Sequence, residues 1–101
     1  MKILESNEEL STVINEGIWI VDFFAEWCGP CKMLGPVLEE LEGTTNIVKV
    51  NVDTHSEEAS KYSVMNIPTL VFFKDGQAIE KTIGFQSKDM ILEKLNIVKN
   101  N

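Results

Sequence analysis

The residue pattern predicts an α/β fold, a central mixed β-sheet flanked by helices on both faces. Three observations carry this expectation. Helical and strand-like periodicities alternate along the 101 residues. The stretch 18–52 reads as one strand–helix–strand unit. Two later strands, joined through Asp75 and Gly76, form a hairpin ahead of a last helix.

Taken in order, Ser6 and Glu9 make a capping-box pattern before Leu10, Val13 and Ile14, which predicts a first helix. Ile18 to Ala25 is too short for a typical helix and rich in branched and aromatic residues, so it reads as a buried strand. Cys31, Leu34, Leu38 and Leu41 then recur at helical spacing, with Gly43 as a stop and a bend expected at Pro36. Ile47 to Val52 alternates as a strand, with Val48, Val50 and Val52 on one face. Ser56 to Tyr62 fits a short helix, and Thr69 to Phe73 and Ala78 to Ile83 fit the hairpin strands. Ser87 can cap a last helix in which Ile91, Leu92, Leu95 and Val98 share a face.

No repeat, linker or low-complexity tract interrupts this order, and residues 1–101 are expected to form a single domain. A chain of this length hides roughly 60 to 70 per cent of its unfolded surface, enough for one core. With 44% hydrophobic and 25% charged residues it has the composition of a soluble globular protein. Its net charge is -7 and every basic residue is lysine, which argues against binding driven by nucleic-acid phosphates. Glu5, Glu8 and Glu9 follow Met1 to Leu4 closely, so no signal peptide is expected, and no apolar run is long enough to span a bilayer. The cytoplasm is the expected compartment, where a close cysteine pair is more often catalytic or metal-binding than structural.

The only two cysteines, Cys28 and Cys31, lie at the junction between the apolar strand and the helix that follows. A bridge between them closes a very small ring: the chain-entropy relation gives about 2 kcal/mol for a four-residue loop against about 3 for fifteen. So weak a staple suits a reversible switch. At the helix start, an exposed Cys28 sulfur would feel unpaired N–H groups and the positive end of the helix dipole, with Lys32 adding charge nearby, so the thiolate is favoured. Cys31, three residues on, shares its helix face. Gly29 adds no bulk, and Pro30 falls in the first turn, where its missing N–H breaks no helical bond.

Three other uses of the pair can be weighed. A zinc site needs about four ligands, and His55 is the only histidine, so no metal is expected. Haem attachment needs a histidine where Lys32 stands. A purely structural bridge runs against the ring-size argument. Thiol–disulfide exchange with a protein substrate remains: Cys28 attacks, and Cys31 resolves the mixed disulfide. Such chemistry leaves the protein oxidised. No glycine-rich dinucleotide site is present to supply electrons, so no bound cofactor is expected.

A C-x-x-C pair beside a βαβ pattern is the general signature of thioredoxin-like redox sites. The string from Val21, Asp22, Phe23 and Phe24 through Ala25 and Glu26 to Trp27, Cys28, Gly29, Pro30, Cys31 and Lys32, with Ile67, Pro68 and Thr69 downstream, resembles the thioredoxin family over nearly the whole chain. The resemblance implies the thioredoxin fold and a protein-disulfide reductase re-reduced by a separate thioredoxin reductase, usually a flavoprotein drawing on NADPH. Disulfide-containing proteins would be the substrates. Its transient partners and compact acidic surface favour a monomer.

The resemblance also implies roles for single residues. Asp22 becomes the buried base that helps deprotonate Cys31; the pattern alone leaves open a solvated aspartate on an edge strand. Lys49 becomes a lysine near that carboxylate, or simply a stem lying along the sheet. Ile67 and Pro68 would form a cis peptide that leaves the Ile67 backbone free for a substrate strand. Trp27, Gly29, Pro30, Ile67, Ile83 and Gly84 match an apolar surface that receives partners, although Ile83 and Gly84 also suit an ordinary strand end and turn. Phe24 stands where many members carry tryptophan, and Phe85 where a small residue is common. Trp19, Tyr62, Met33, Met65 and Met90 read as core or surface filler, and His55 as a loop residue.

Two further possibilities follow from the same residues. The exchange could run in the opposite direction, as in protein disulfide isomerases and oxidases, and the reduction potential separates the two. Alternatively, the chain could be a thioredoxin-fold binding module with idle cysteines.

Overall fold

Five strands and four helices alternate in the computed structural model, which describes residues 1–101. They are β1 (Lys2–Ile3), α1 (Leu10–Val13), β2 (Ile18–Phe24), α2 (Gly29–Glu39), β3 (Asn46–Asn51), α3 (Ser56–Lys61), β4 (Thr69–Lys74), β5 (Gln77–Ile83) and α4 (Lys88–Lys99). The strands form one mixed sheet in the order β1-β3-β2-β4-β5. β3 pairs in parallel with both β1 and β2, whereas β4 runs antiparallel to β2 and to β5.

Strand alternation sorts the core into two layers. Val21 and Phe23 of β2 join Val48, Val50, Val71 and Phe73 beneath α1 and α3, with Leu10 from α1, Ile14 from its C-cap and Ala59 from α3. Ile20 faces the other way, with Leu70 and Phe72, against Leu34 and Leu38 of α2 and Ile91, Leu95 and Val98 of α4. The most apolar strand, β2, is central and covered on both sides, as a strand buried on two faces must be.

The turns follow from local chemistry. Asp75 and Gly76 both have positive φ, 49° and 85°, the combination that a tight two-residue hairpin requires. The Asp75 carboxylate accepts from the Gly17 N–H at 2.8 Å, which ties this hairpin to the start of β2. Ser87 caps α4 by accepting from the Met90 N–H at 3.3 Å.

Four details depart from the sequence expectations. The reciprocal acidic turn forms one residue early: Glu8 Oε1 accepts from the Glu5 N–H at 2.9 Å, and α1 starts at Leu10 after Glu9, whose side chain makes no capping bond. This bond and Lys2 hold the Glu8 carboxyl below its ordinary pKa. α2 ends at Glu39, so Leu41 reaches the core from a turn rather than from the helix. Leu92 is exposed, because positions 91, 95 and 98 already define the buried stripe and residue 92 falls about 100° off it. β1 is only two residues long, too short for any period to be read.

Candidate active site

The pairing directions decide where chemistry can gather. β2 and β3 are parallel, β4 is antiparallel to β2, and β5, antiparallel to β4, runs in the direction of β2, so one sheet edge collects the ends of β2, β3 and β5 and the start of β4. Cys28, Asp53, Pro68 and Gly84 lie just outside those four ends.

Cys28 is the N-cap of α2, with extended φ and ψ of -90° and 111°. Its sulfur accepts from the Cys31 N–H at 3.2 Å, one of the amide donors that a helix start leaves unpaired. The two sulfurs are joined as a disulfide, with Cα atoms 5.3 Å apart. Gly29 and Pro30 fill the first two helical positions. The expectation of an exposed sulfur is corrected here: Cys28 and Cys31 are 5% and 4% exposed, packed with Phe24 and Ala25 and flanked by Ile67 and Val52.

Asp22 is wholly buried and its two carboxylate oxygens have no hydrogen-bond partner. It stands between Ile20 and Phe24 on the same face of β2, so it lies in the layer covered by α2, between the core beneath Leu34 and the cluster around Cys31. Burial pushes its pKa up to about 7, against a smaller opposing pull from Lys49. The solvated edge-strand alternative for Asp22 is thereby removed.

Lys49 is the direct neighbour of Asp22 across the β2–β3 pairing. Its ammonium sits 4.3 Å from the centre of the Phe24 ring. A cleft of about 410 Å³ is lined by Phe24, Cys31, Lys32 and Lys49.

Around the disulfide, the Ile67–Pro68 peptide is cis. The Ile67 N–H and C=O make no hydrogen bond within the chain. The Gly84 N–H donates to the Pro68 carbonyl at 2.8 Å, and Gly84 has a φ of 86°, a left-handed conformation that favours glycine. Trp27 is 70% exposed and Ile83 59%, and Gly29 and Pro30 are exposed beside them. Trp27 to Cys31, Ile67, Pro68, Ile83 and Gly84 thus lie at or just beyond the strand termini of one edge, with Asp22 and Lys49 two residues inside the ends of β2 and β3.

Sequence reasoning missed one member of this group. The Trp27 indole N–H donates to Asp53 Oδ2 at 2.9 Å, and Asp53 is itself held by its own N–H donating to Asn51 Oδ1 at 2.8 Å. No local pattern marks Asp53 in the sequence; the parallel register, with Phe24 opposite Asn51, is what brings the residues just beyond both strands near each other. His55 lies in a loop, as expected, just before α3, but it is 5% exposed, with Nε2 bonded to the Glu5 carbonyl and Nδ1 to Thr54 Oγ1, both at 3.0 Å.

Comparison with known proteins agrees with this geometry. The family profile described as Thioredoxin matches residues 2–97. A thioredoxin from Staphylococcus aureus is 47% identical over 95 residues, covering 90% of this chain and 91% of its own. The X-ray structure of Fasciola hepatica thioredoxin superposes with a TM-score of 0.85 at 37% identity, covering 95% of this chain and 97% of that one. The solution structure of oxidised Plasmodium falciparum thioredoxin gives a TM-score of 0.83 at 32% identity, over 96% of both chains. The profile spans nearly the whole chain and the relatives match nearly all of it, so the chain, with its bridged cysteine pair across the first turn of α2, belongs to the thioredoxin family.

Proposed function

We infer that this oxidoreductase works as a reductant of disulfides in other proteins, with Cys28 attacking, Cys31 resolving and Asp22 carrying the proton. In the reduced form, the Cys28 thiolate displaces one sulfur of the target disulfide, which leaves as a thiolate. Cys31, deprotonated by the Asp22 carboxylate, then attacks Cys28 Sγ and expels the second target sulfur. Two electrons pass to the target, and the Cys28–Cys31 bridge forms. Lys49 tempers the carboxyl of Asp22, and the free Ile67 backbone, with Trp27, Gly29, Pro30, Pro68, Ile83 and Gly84, receives the target segment.

The observation that carries this reading is the disulfide at the N-terminus of α2, with Cys28 Sγ already accepting an amide hydrogen bond. Donors at that point stabilise the anion that leaves or attacks. Resetting the bridge requires electrons from outside, which we assign to a separate thioredoxin reductase fed by NADPH. We place the protein in the cytoplasm as a monomeric single domain; no helix is long and apolar enough to cross a membrane.

Insulin reduction with dithiothreitol as the electron source tests the activity, and Cys31→Ser tests the roles. The variant is expected to accumulate a covalent complex with the target through Cys28, seen as a band that disappears on added thiol. Turnover by the wild type without any trapped complex in the variant would overturn the assignment. A bridge potential more oxidising than the glutathione pool would reverse the direction.

A further inference from the structure

Three segments without a single Asp, Glu or Lys converge on the sheet edge that carries the disulfide: residues 27–31, 62–73 and 82–87, in a chain that is 25% charged. Burial explains this for Cys28, Cys31, Pro68, Thr82 and β4, where 69–73 are buried. Ser63, Met65, Asn66, Ile83 and Phe85 are exposed, so solvent would accept a charge at each of them. Loss of charge at exposed positions, with aromatic and Met side chains in its place, is the composition of an interface centre.

Backbone pairing fixes how two of these residues are presented. Thr69 is opposite Ile83, and the Gly84 N–H to Pro68 carbonyl bond extends that pairing one step, which brings position 85 alongside position 67. Gln86 Nε2 donates to the Ile83 carbonyl at 3.4 Å and closes the turn, leaving Phe85 44% exposed on an ordered loop. Met65, two residues before the unpaired Ile67 backbone, is 89% exposed, more than any other large apolar residue. The opposite flank is different in kind, with Trp27 bonded to Asp53 and preceded by the exposed Glu26.

We propose that Met65 and Phe85 are specificity-determining residues, an apolar shelf continuous with the disulfide face that selects target proteins presenting an apolar side chain beside the cysteine to be attacked. The inference rests on the function proposed above. An apolar neighbour in the target removes its own surface and that of Met65 and Phe85 from water together. A polar neighbour would lose hydration there with no donor or acceptor to replace it, since thioether and phenyl groups offer none of strength. The flexible thioether lets the shelf accept side chains of several shapes.

The test uses the full chain, reduced beforehand, in single-turnover reactions with two disulfide-linked peptides that differ only in the residues flanking the target cysteine: Leu and Val in one, Ser and Asn in the other. The wild type is expected to react about tenfold faster with the apolar peptide, equivalent to about 1.4 kcal/mol. Phe85→Ala and Met65→Ala together should bring the ratio close to one, and Phe85→Leu should keep most of it, because apolar area rather than aromaticity is what the shelf supplies. Equal rates for the two peptides in the wild type, or an unchanged ratio in the double variant, would overturn the proposal. Failure to reduce either peptide would overturn the proposed function itself, a separate result.

Discussion

Asp22 is the residue on which the proton chemistry turns. A carboxyl with no hydrogen-bond partner, wholly buried, pays the full desolvation cost of ionising, which is why its pKa rises to about 7. That value leaves roughly half of it ionised at neutral pH, able both to take a proton from Cys31 and to return it. The rate of resolution of the mixed disulfide is therefore expected to climb with pH through about 7, as the carboxylate form accumulates. Asp22→Asn cannot accept the proton. It should slow release of the target by at least about tenfold near pH 7 and flatten that part of the pH profile. Stopped-flow release from a preformed Cys28 adduct measures the step directly, and a retained inflection near pH 7 would assign the base elsewhere.

At the scale of elements, what matters is how separate segments are pinned so that one sheet edge stays ordered. A backbone carbonyl can only accept, so the His55 Nε2 to Glu5 bond requires the proton on Nε2, and it joins residues fifty apart in sequence. It fastens the segment between β1 and α1 to the residue just before α3. Thr54 Oγ1 completes the ring contacts, and its neighbour Asp53 holds Trp27. His55→Ala is expected to cost about 1 to 3 kcal/mol in urea unfolding, because it strips the Glu5 carbonyl of its partner and opens a void at a nearly closed site. Faster amide exchange confined to residues near 3–10 and 54–60 should accompany the loss. An unchanged midpoint would mean that water replaces the imidazole at no cost.

For the molecule as a whole, the sequence was most legible where burial imposes a period. The long apolar strand β2, the helical stripe of Leu34 and Leu38, the Asp75–Gly76 hairpin and the Ser87 cap are each set by neighbours within a few residues. What escaped depended on partners far along the chain: β1 exists only because Lys2 and Ile3 meet Val48 and Lys49, and Asp53 and His55 gain their roles from Trp27 and Glu5. The cysteine pair was visible as residues, but its near-complete burial was not, since it depends on Phe24, Ala25 and Ile67 closing over one edge, whereas Asp22 was expected to be buried and is. The burial of Asp22 has a consequence for the stability of the entire fold. In the unfolded chain the Asp22 carboxyl loses its proton near 3.8, whereas in the native protein it holds it up to about 7. Between these values the native state binds more protons than the unfolded state, so stability falls as pH rises through that window and levels off above it. The span corresponds to a penalty on the order of 4 kcal/mol at the alkaline end. Asp22→Asn, uncharged at every pH, removes that dependence, and Asp22→Leu also removes the unpaired polar atoms. Both are expected to be more stable than the wild type in the oxidised form above pH 7, with the advantage shrinking toward pH 4. Guanidinium unfolding of the three proteins at pH 4, 6 and 8 checks the sign, and a variant advantage that stays constant with pH would show that the native carboxyl is ionised throughout.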